Sequence, residues 1–424
     1  MKTLKALFKD KFVFWCFVFI TAMSLFIYFR SYPTLVTFNL DSPFHLGEAR
    51  SIVESGKINL IGPIDASKEM FGRQIFLGAF YYYVIEILGI VSSWNVILIS
   101  AFFTFLWILA FITIFLWFYK SFGGTIALLI YSLLAFCPTF VFVSRQILNT
   151  QFVPFFGVMF LMLLVNRKRK LHYFLAGIFW GLGLNVHYAT ALWLFIALWF
   201  LIDDLRKKKF MFSNWLLLAL GGVLGESPFL LFELRHNFYN IQTVFFHIKY
   251  FKLSQGYTFT VWYYYVYTLL PVAAYLVASI LKRIRKTKVF FPAFFLGVLL
   301  SVYFLIQSLG PAGQKTLYPY GWSIERQKNV AQIIIDDKPK EFEVAETICS
   351  DTRAMDIRWW LREAGVPVMD VVSYKTSPVL YLVTTFDRPP ETETVWEVSS
   401  LRPFNIEFKK DIGGELYLYK LVRK

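Results

Sequence analysis

Charge is scarce in this 424-residue sequence: Asp, Glu, Lys and Arg make up 17% of it, where a soluble globular chain carries nearer a quarter. Cysteine is scarcer. Cys16 and Cys137 lie in apolar blocks and Cys349 in the C-terminal tail, a distribution that gives neither a disulfide framework nor a metal-binding spacing. There is no Gly-rich nucleotide loop, no zincin motif and no Ser–His–Asp set, which disfavours an enzyme working on soluble nucleotides and points to a membrane-confined substrate. No internal repeat or low-complexity tract is present. Acidic residues are the rarer sign, 28 against 43 Lys plus Arg, for a formal charge of +15.

What the sequence has instead is apolar length. It is 57% hydrophobic and 20% aromatic, with a mean hydropathy of +0.54. The apolar residues fall in blocks near 12–31, 76–92, 95–119, 123–143, 151–166, 171–186, 188–202, 215–233, 261–281 and 289–308. Several reach the ~20 residues that span a hydrocarbon core of roughly 30 Å. The expected fold class is a polytopic α-helical membrane protein of about 9–11 spans by block length, with a multi-span domain over 1–308 and a small extracytoplasmic α/β domain over 309–424. The N-terminus is basic and then apolar, as in a signal peptide, but Phe12–Phe29 is longer than an ordinary signal core and no small-residue cleavage site follows. It reads as an uncleaved first span.

The excess positive charge sits between blocks, at Lys2–Lys11, Arg167–Lys170, Arg206–Lys209 and Lys282–Lys288. That placement marks the cytoplasmic side and gives the clusters anionic lipid headgroups as neighbours; nucleic acid is excluded as a partner. The N-terminus is then cytoplasmic, while the 32–75 loop, residues 234–260 and the tail are extracytoplasmic. An inside start and an outside end need an odd number of spans, so one of the ten blocks is not a simple crossing. The choices are 76–92, which is short and Tyr-rich, or a hairpin within 95–119.

The 32–75 loop contains "NLDSPFHLGEARSI" (39–52). Ser42 followed by Pro43 predicts a helix start with Ser42 as N-cap, and Gly56 is a suitable stop. Phe44, Ala49, Ile52 and Val53 share one face and His45, Glu48 and Arg50 are more polar, the pattern of an amphipathic helix on the outer membrane surface. Asp41 falls just before it. In the tail, strands are expected at 341–348, 367–374, 378–386, 394–399, 404–409 and 415–422, and "MDIRWWLREAG" (355–365) predicts an amphipathic helix with a Gly stop.

Several polar residues stand where chemistry is conceivable, each with a structural alternative. Asp41 is a general-base candidate or a solvated loop acid. Glu48 is a helper to it or a solvated surface residue, and His45 is ambiguous in the same way. Arg145 and Asn149, in "SRQILN" (144–149), can pair with a phosphate through the forked guanidinium, or Arg145 can snorkel to headgroups. His187, in "GLGLNVHYA", faces a ligand or the outer interface. Arg235 and His236, in "GESPFLLFELRHNFYN", can receive an anionic headgroup, with Glu233 as an alternative partner for Arg235. Glu226 beside Pro228 is costly in a span unless a cavity or partner accommodates it. Tyr82, within "FYYYV", is an aromatic surface for a sugar or part of an interfacial belt.

The ordered series of a leading Asp, "SGKINLIGP", "FLGAFYYYV", "SRQILN…FVPFFGVMFLMLL", "GLGLNVHY" and "PFLLFELRHN" resembles the GT-C membrane glycosyltransferases of family 39, the group of bacterial protein O-mannosyltransferases and lipid A aminoarabinose transferases. The resemblance covers residues 10–310. It implies an inverting, hexosyltransferase-like enzyme of the bacterial cytoplasmic membrane and cell envelope, moving a sugar from a polyprenyl-phosphate donor to a lipid, glycan or protein acceptor. It implies Asp41 as the base and places Arg145 near the carrier phosphate. The sequence departs from the family where Ser42 follows Asp41 in place of an Asp-Glu pair, where Asn149 replaces an Asp common in the family, and where "FLGAF" replaces His-Pro-Pro. No cofactor is assigned beyond the lipid-linked donor, and the need for a divalent metal is left open, as are the sugar, the acceptor and the oligomeric state. Two other readings compete: a flippase for lipid-linked saccharides, and a non-catalytic membrane scaffold.

Overall fold

The computed structural model describes residues 2–38, 41–64, 73–250, 262–314, 321–348, 351–371 and 373–424. Cys349, the first residues of "NLDSPFHLGEARSI", and parts of the expected 32–75 loop, the 234–260 segment and the 367–374 strand lie outside these. The chain divides into two compact units. One contains Met1–Tyr28, Ser51–Ser144 and Leu148–Gly313; the other contains Phe29–Arg50, Arg145–Ile147 and Gln314–Lys424.

The first unit is mainly helical: the expected apolar blocks form helices or broken pairs of helices, except that 76–92 opens with a short strand, Phe76–Gly78, before its helix. Among the described residues, five helices are long and apolar enough to cross a membrane: Lys11–Phe29, Val96–Phe122, Tyr188–Arg206, Val266–Ile284 and Phe290–Leu309. A sixth crossing is available if Phe212–Gly225 and Ser227–Arg235, bent by 71° at Glu226, count as one. Phe80–Ser92, Gly124–Ala135 and Asn149–Val165 are apolar but shorter. The chain is a multi-pass membrane protein by these helices. No hairpin hides in 95–119. Asn95 accepts hydrogen bonds from the Ile97 and Leu98 amides at 3.0 and 3.2 Å, starting one uninterrupted helix that runs to Phe122. The 123–143 block breaks instead, at Cys137–Pro138, because the ring of a proline disfavours helix in the residue before it.

Glycine decides one packing contact. The Lys170–Val186 and Phe212–Gly225 helices carry Gly177-x-x-x-Gly181 and Gly221-x-x-x-Gly225. A methyl group at any of the four would collide with backbone of the facing helix, at Leu218, Gly222, Phe174 and Ile178 in turn. Small residues one turn apart let two membrane helices touch backbone to backbone. At one end of the bundle Arg167 donates to Asp204 at 2.7–3.2 Å and to Asp203 at 2.9 Å, and Tyr173 donates to Asp204 at 3.1 Å. This network ties the basic clusters 167–170 and 206–209 to the same end. A small hairpin of β1 (Ile61–Ile64) and β2 (Phe76–Gly78) completes the unit.

In the second unit a mixed sheet has the order β3 (Glu343–Glu346), β4 (Val379–Thr385), β6 (Leu416–Arg423), β5 (Phe404–Gly413). β3 runs parallel to β4 and the other pairs are antiparallel. Helices Ile324–Asp336 and Met355–Glu363 cover one face, joined in a core with Val330, Ile334, Ile357, Leu361, Val344 and Leu418. Met355–Glu363 matches the expected helix, and Gly365 follows it at φ +73°. Two expected strands are absent. The described part of 367–374 is irregular and ends in a short 3-10 turn at Ser373–Lys375, with the Met369 carbonyl accepting from the Arg358 side chain at 2.7 Å rather than from a neighbouring strand. Residues 394–399 form a helical turn, Trp396–Ser399, whose Glu397 accepts from Thr352 at 2.6 Å. The Ile324–Asp336 helix was not expected. Its signal was Ser323, whose hydroxyl accepts from the Arg326 amide at 3.3 Å, followed by apolar residues at 324, 330, 331 and 334.

Candidate functional site

The described helix, Asp41–Ser55, already includes Asp41, two residues before the Pro43 at which its Ser-Pro signal would start it, so Ser42 lies inside the helix and is buried rather than capping it. Gly56 ends it at φ +65°, as expected. Its buried face is Ser42, His45, Leu46 and Ala49, at helical spacing. Phe44, Ile52 and Val53 are only partly buried, so the apolar face inferred from sequence is rotated. The reason is that Asp41–Arg50 packs on protein. Arg50 pairs with Glu363 and lies 5.8 Å over the Trp359 ring, Arg362 donates to the Gly47 carbonyl at 3.5 Å, and Arg353 sits 5.8 Å from the Phe44 ring.

The segment leading to Asp41 is fixed in the same unit. Thr37 bridges to Gln146 in parallel, with its amide on the Arg145 carbonyl at 3.4 Å. Phe38 packs edge-on to Trp359 at 5.9 Å, and its carbonyl accepts from Gln327 at 2.9 Å. Arg145 is therefore held beside Thr37 and Phe38, and its side chain is fully buried. The arrangement brings Asp41, His45, Glu48 and Arg145 into one unit.

Asp41 is open to solvent although protein crowds it. Crowding withholds water from the charged form and is the main reason its pKa is raised; negative Asp351 raises it further and Arg353 opposes. His45 is different. Burial pushes its pKa down to about 3, so it stays neutral through the physiological range. Glu48 is exposed. Asp356 is buried and accepts from the Trp322 indole at 2.8 Å and its neighbour's amide at 2.8 Å; burial pushes it up to about 7. Among the described residues no group of three or more His, Cys, Asp or Glu side chains is placed to hold a metal ion.

The remaining sequence candidates belong to the helical unit and have local roles there. Asn149 donates to the Val186 carbonyl at 2.5 Å. His187 caps a 3-10 turn through Nδ1, which accepts from the Ala189 amide at 3.1 Å. Glu233 does not pair with Arg235; it accepts from the Asn240 and Ile241 amides at 3.0 and 3.2 Å and caps the Tyr239–Tyr250 helix, an element absent from the sequence reading of 234–260. Arg235 and His236 are exposed, with His236 stacked on Phe232 at 4.2 Å. Glu226 has the partner its position demands, Asn185, at 2.6 Å. Tyr82 is buried beside Tyr81. Asp351 and Arg353, the charges that act on Asp41, were missed, since nothing in a sequence links position 41 to position 351.

No known family matches this sequence, and none of the curated proteins does. Solved structures match its fold, among them two of ArnT. ArnT from Cupriavidus metallidurans in the apo state gives a TM-score of 0.57, and the same protein bound to undecaprenyl phosphate gives 0.55; each is 11% identical and covers 95% of this chain and 97% of that one. The chain thus has the ArnT-like GT-C fold that the ordered motifs implied, including the sheet-containing C-terminal region.

Proposed function

We propose that this chain is a lipid-linked sugar transferase: it moves a glycosyl group from a polyprenyl phosphate to an acceptor hydroxyl on the extracytoplasmic face of a bacterial cytoplasmic membrane. The observation that carries the reading is Asp41, a solvent-open carboxylate at the start of a helix buried on its other face, in a chain with this fold. A structural neighbour that binds undecaprenyl phosphate supports the choice of carrier.

In the proposed step the acceptor oxygen attacks the anomeric carbon and its proton passes to the Asp41 carboxylate. The bond from that carbon to the phosphate oxygen breaks, and the phosphate leaves with the electron pair, inverting the anomeric configuration. The leaving phosphate gains charge as the bond stretches, so a fixed cation nearby stabilises the transition state more than the ground state; Arg145 is the residue assigned to it. A raised pKa suits the base, because a stronger base takes the hydroxyl proton more readily. It also sets the pH response: transfer declines as the medium is acidified through that raised pKa. The prenyl chain binds chiefly by burial of apolar surface.

The test is transfer of label from a panel of radiolabelled polyprenyl-phosphate sugars in membranes carrying the wild type or Asp41→Asn. Product with the wild type alone supports the reading and identifies the donor. Equal product with both removes Asp41 from the chemistry. Movement of labelled lipid across the bilayer without a new glycosidic bond replaces the transferase with a flippase.

A further inference from the structure

Asp351 and Arg353 stand in a turn that is held from several sides. The Arg353 side chain folds back onto Asp351, with Nε and Nη2 at 2.8 and 2.7 Å from its two carboxylate oxygens and the Arg353 amide at 3.1 Å. The Thr352 carbonyl accepts from the Glu346 amide at 3.0 Å, the Thr352 hydroxyl donates to Glu397 at 2.6 Å, and Arg358 donates to the Arg353 carbonyl at 2.9 Å. Ala354 closes the turn at φ +51°, a conformation that a residue with a Cβ holds only when its surroundings enforce it. The guanidinium so fixed lies 5.8 Å from the ring of Phe44, one turn along the helix from Asp41, and the Arg353 side chain remains 42% exposed.

We propose that the Asp351–Arg353 ion pair is a positioning pair for the reaction at Asp41, holding opposite charges beside the carboxylate so that they balance there. The proposal rests on the reading of Asp41 as the base. A bidentate pair fixes the guanidinium more tightly than a single contact would, and a turn locked at three points keeps the pair from following the substrate. The two charges act on Asp41 in opposite directions, Asp351 raising its pKa and Arg353 lowering it. The other groups around them are accounted for. On the Asp41 helix, His45 is neutral and Glu48 points to solvent. On the tail, Tyr374 favours the charged form of Arg353, and the Asp351 charge helps raise the Asp356 pKa.

A balance is tested by removing one side at a time. Asp41 is labelled across pH with a diazo reagent, which esterifies protonated carboxyls, and its peptide is quantified by mass spectrometry in the full-length protein. In Arg353→Gln the Asp351 charge is uncompensated, and the protonation midpoint of Asp41 rises by about one unit, the low end for a neighbouring charge. In Asp351→Asn it falls. The double variant returns toward wild type, and Arg353→Lys, which keeps the charge and loses the fork, stays near it. The acid limb of the transfer rate moves with the labelling midpoint. Shifts of the same sign in both single variants, or no shift in either, overturn the proposal. Should Arg353→Gln fail to fold, Asp351→Asn and Arg353→Lys still carry the sign. The labelling needs no turnover, so opposite shifts without transfer in any variant would leave the pair standing and remove the transferase reading instead.

Discussion

Asn185 in the helical unit and Asp41 in the other are both polar residues next to apolar blocks, and they are used in opposite ways. Asn185 is fully buried and commits its whole amide: Nδ2 donates to Glu226 at 2.6 Å and to the Gly225 carbonyl at 3.0 Å, and Oδ1 accepts from the Phe80 amide at 3.3 Å. Asp41 keeps its carboxylate open to solvent while two tail charges act on it. Inside a bilayer an unsatisfied polar atom has no water to turn to, so polar side chains there are drawn into structural hydrogen bonds. Asn149, His187, Glu226 and Glu233 all follow Asn185. Polarity within a span thus goes to structure in this chain, whereas Asp41, at the edge of a buried helix face, keeps its carboxylate exposed.

Exchanging residues across that contrast breaks or sharpens it. The largest effect is expected at Asp41→Asn. Loss of a general base lowers the transfer rate by about 10²–10⁴-fold, while the thermal midpoint of the purified protein stays where it was. Next is Arg358→Ala. Arg358 pairs with the fully buried Glu343 and also donates to the Met369 carbonyl at 2.7 Å and the Tyr374 hydroxyl at 3.0 Å. Leaving a buried charge unpaired costs about 3–5 kcal/mol, which chemical denaturation followed by tail-domain tryptophan fluorescence measures. Asn185→Ala should be milder, about 1–3 kcal/mol for the stranded partners, read as a lower melting temperature with transfer per folded molecule preserved. If Asn185→Ala abolished transfer in a well-folded protein, the contrast between the units would collapse.

A pH experiment comes next. Burial raises the Asp356 pKa from an ordinary 3.8 to about 7. The folded protein then holds this proton more tightly than the unfolded chain, so stability falls as pH rises from about 4 to about 7. Asp356→Asn, which can still accept the Trp322 N–H, should flatten that slope and leave the variant more stable than wild type at pH 8, as paired melts at pH 5 and pH 8 would show. The smallest effect is expected for Glu48→Gln. Glu48 is exposed, so stability changes by less than about 0.5 kcal/mol and transfer is unaltered; a large loss of transfer would enlist Glu48 in the site.

Much of the helical unit was legible from apolar block length alone, because spanning a bilayer demands it, and the blocks became helices, apart from the strand Phe76–Gly78 that opens 76–92. Block length does not reveal breaks made by one residue, such as the bend at Glu226 or the stop at Cys137–Pro138. In the tail, β3, β4, β5 and β6 were visible from alternation. Residues 394–399 alternate equally well and are helical, because buried Glu397 is drawn to Thr352 rather than into a ladder. At the candidate site, the helix and its stop at Gly56 were legible, but the helix's buried face was not. Local periodicity laid Phe44, Ala49, Ile52 and Val53 on one membrane-facing side, whereas the buried residues are Ser42, His45, Leu46 and Ala49, with the tail holding the helix through Phe44, Gly47 and Arg50.

The unit that holds Asp41 gathers Phe29–Arg50, Arg145–Ile147 and Gln314–Lys424. On the ribosome these leave in that order, with long intervals between, and domains complete only when their last segment has emerged. Asp41 is among the first acidic residues translated, yet Asp351, Arg353 and the tryptophans that seat its helix arrive among the last. A nascent chain stalled anywhere in its membrane-spanning course carries the carboxylate without the setting that tunes it. On the proposed reading of Asp41, the order of synthesis leaves the base without its tuning charges until the tail has emerged.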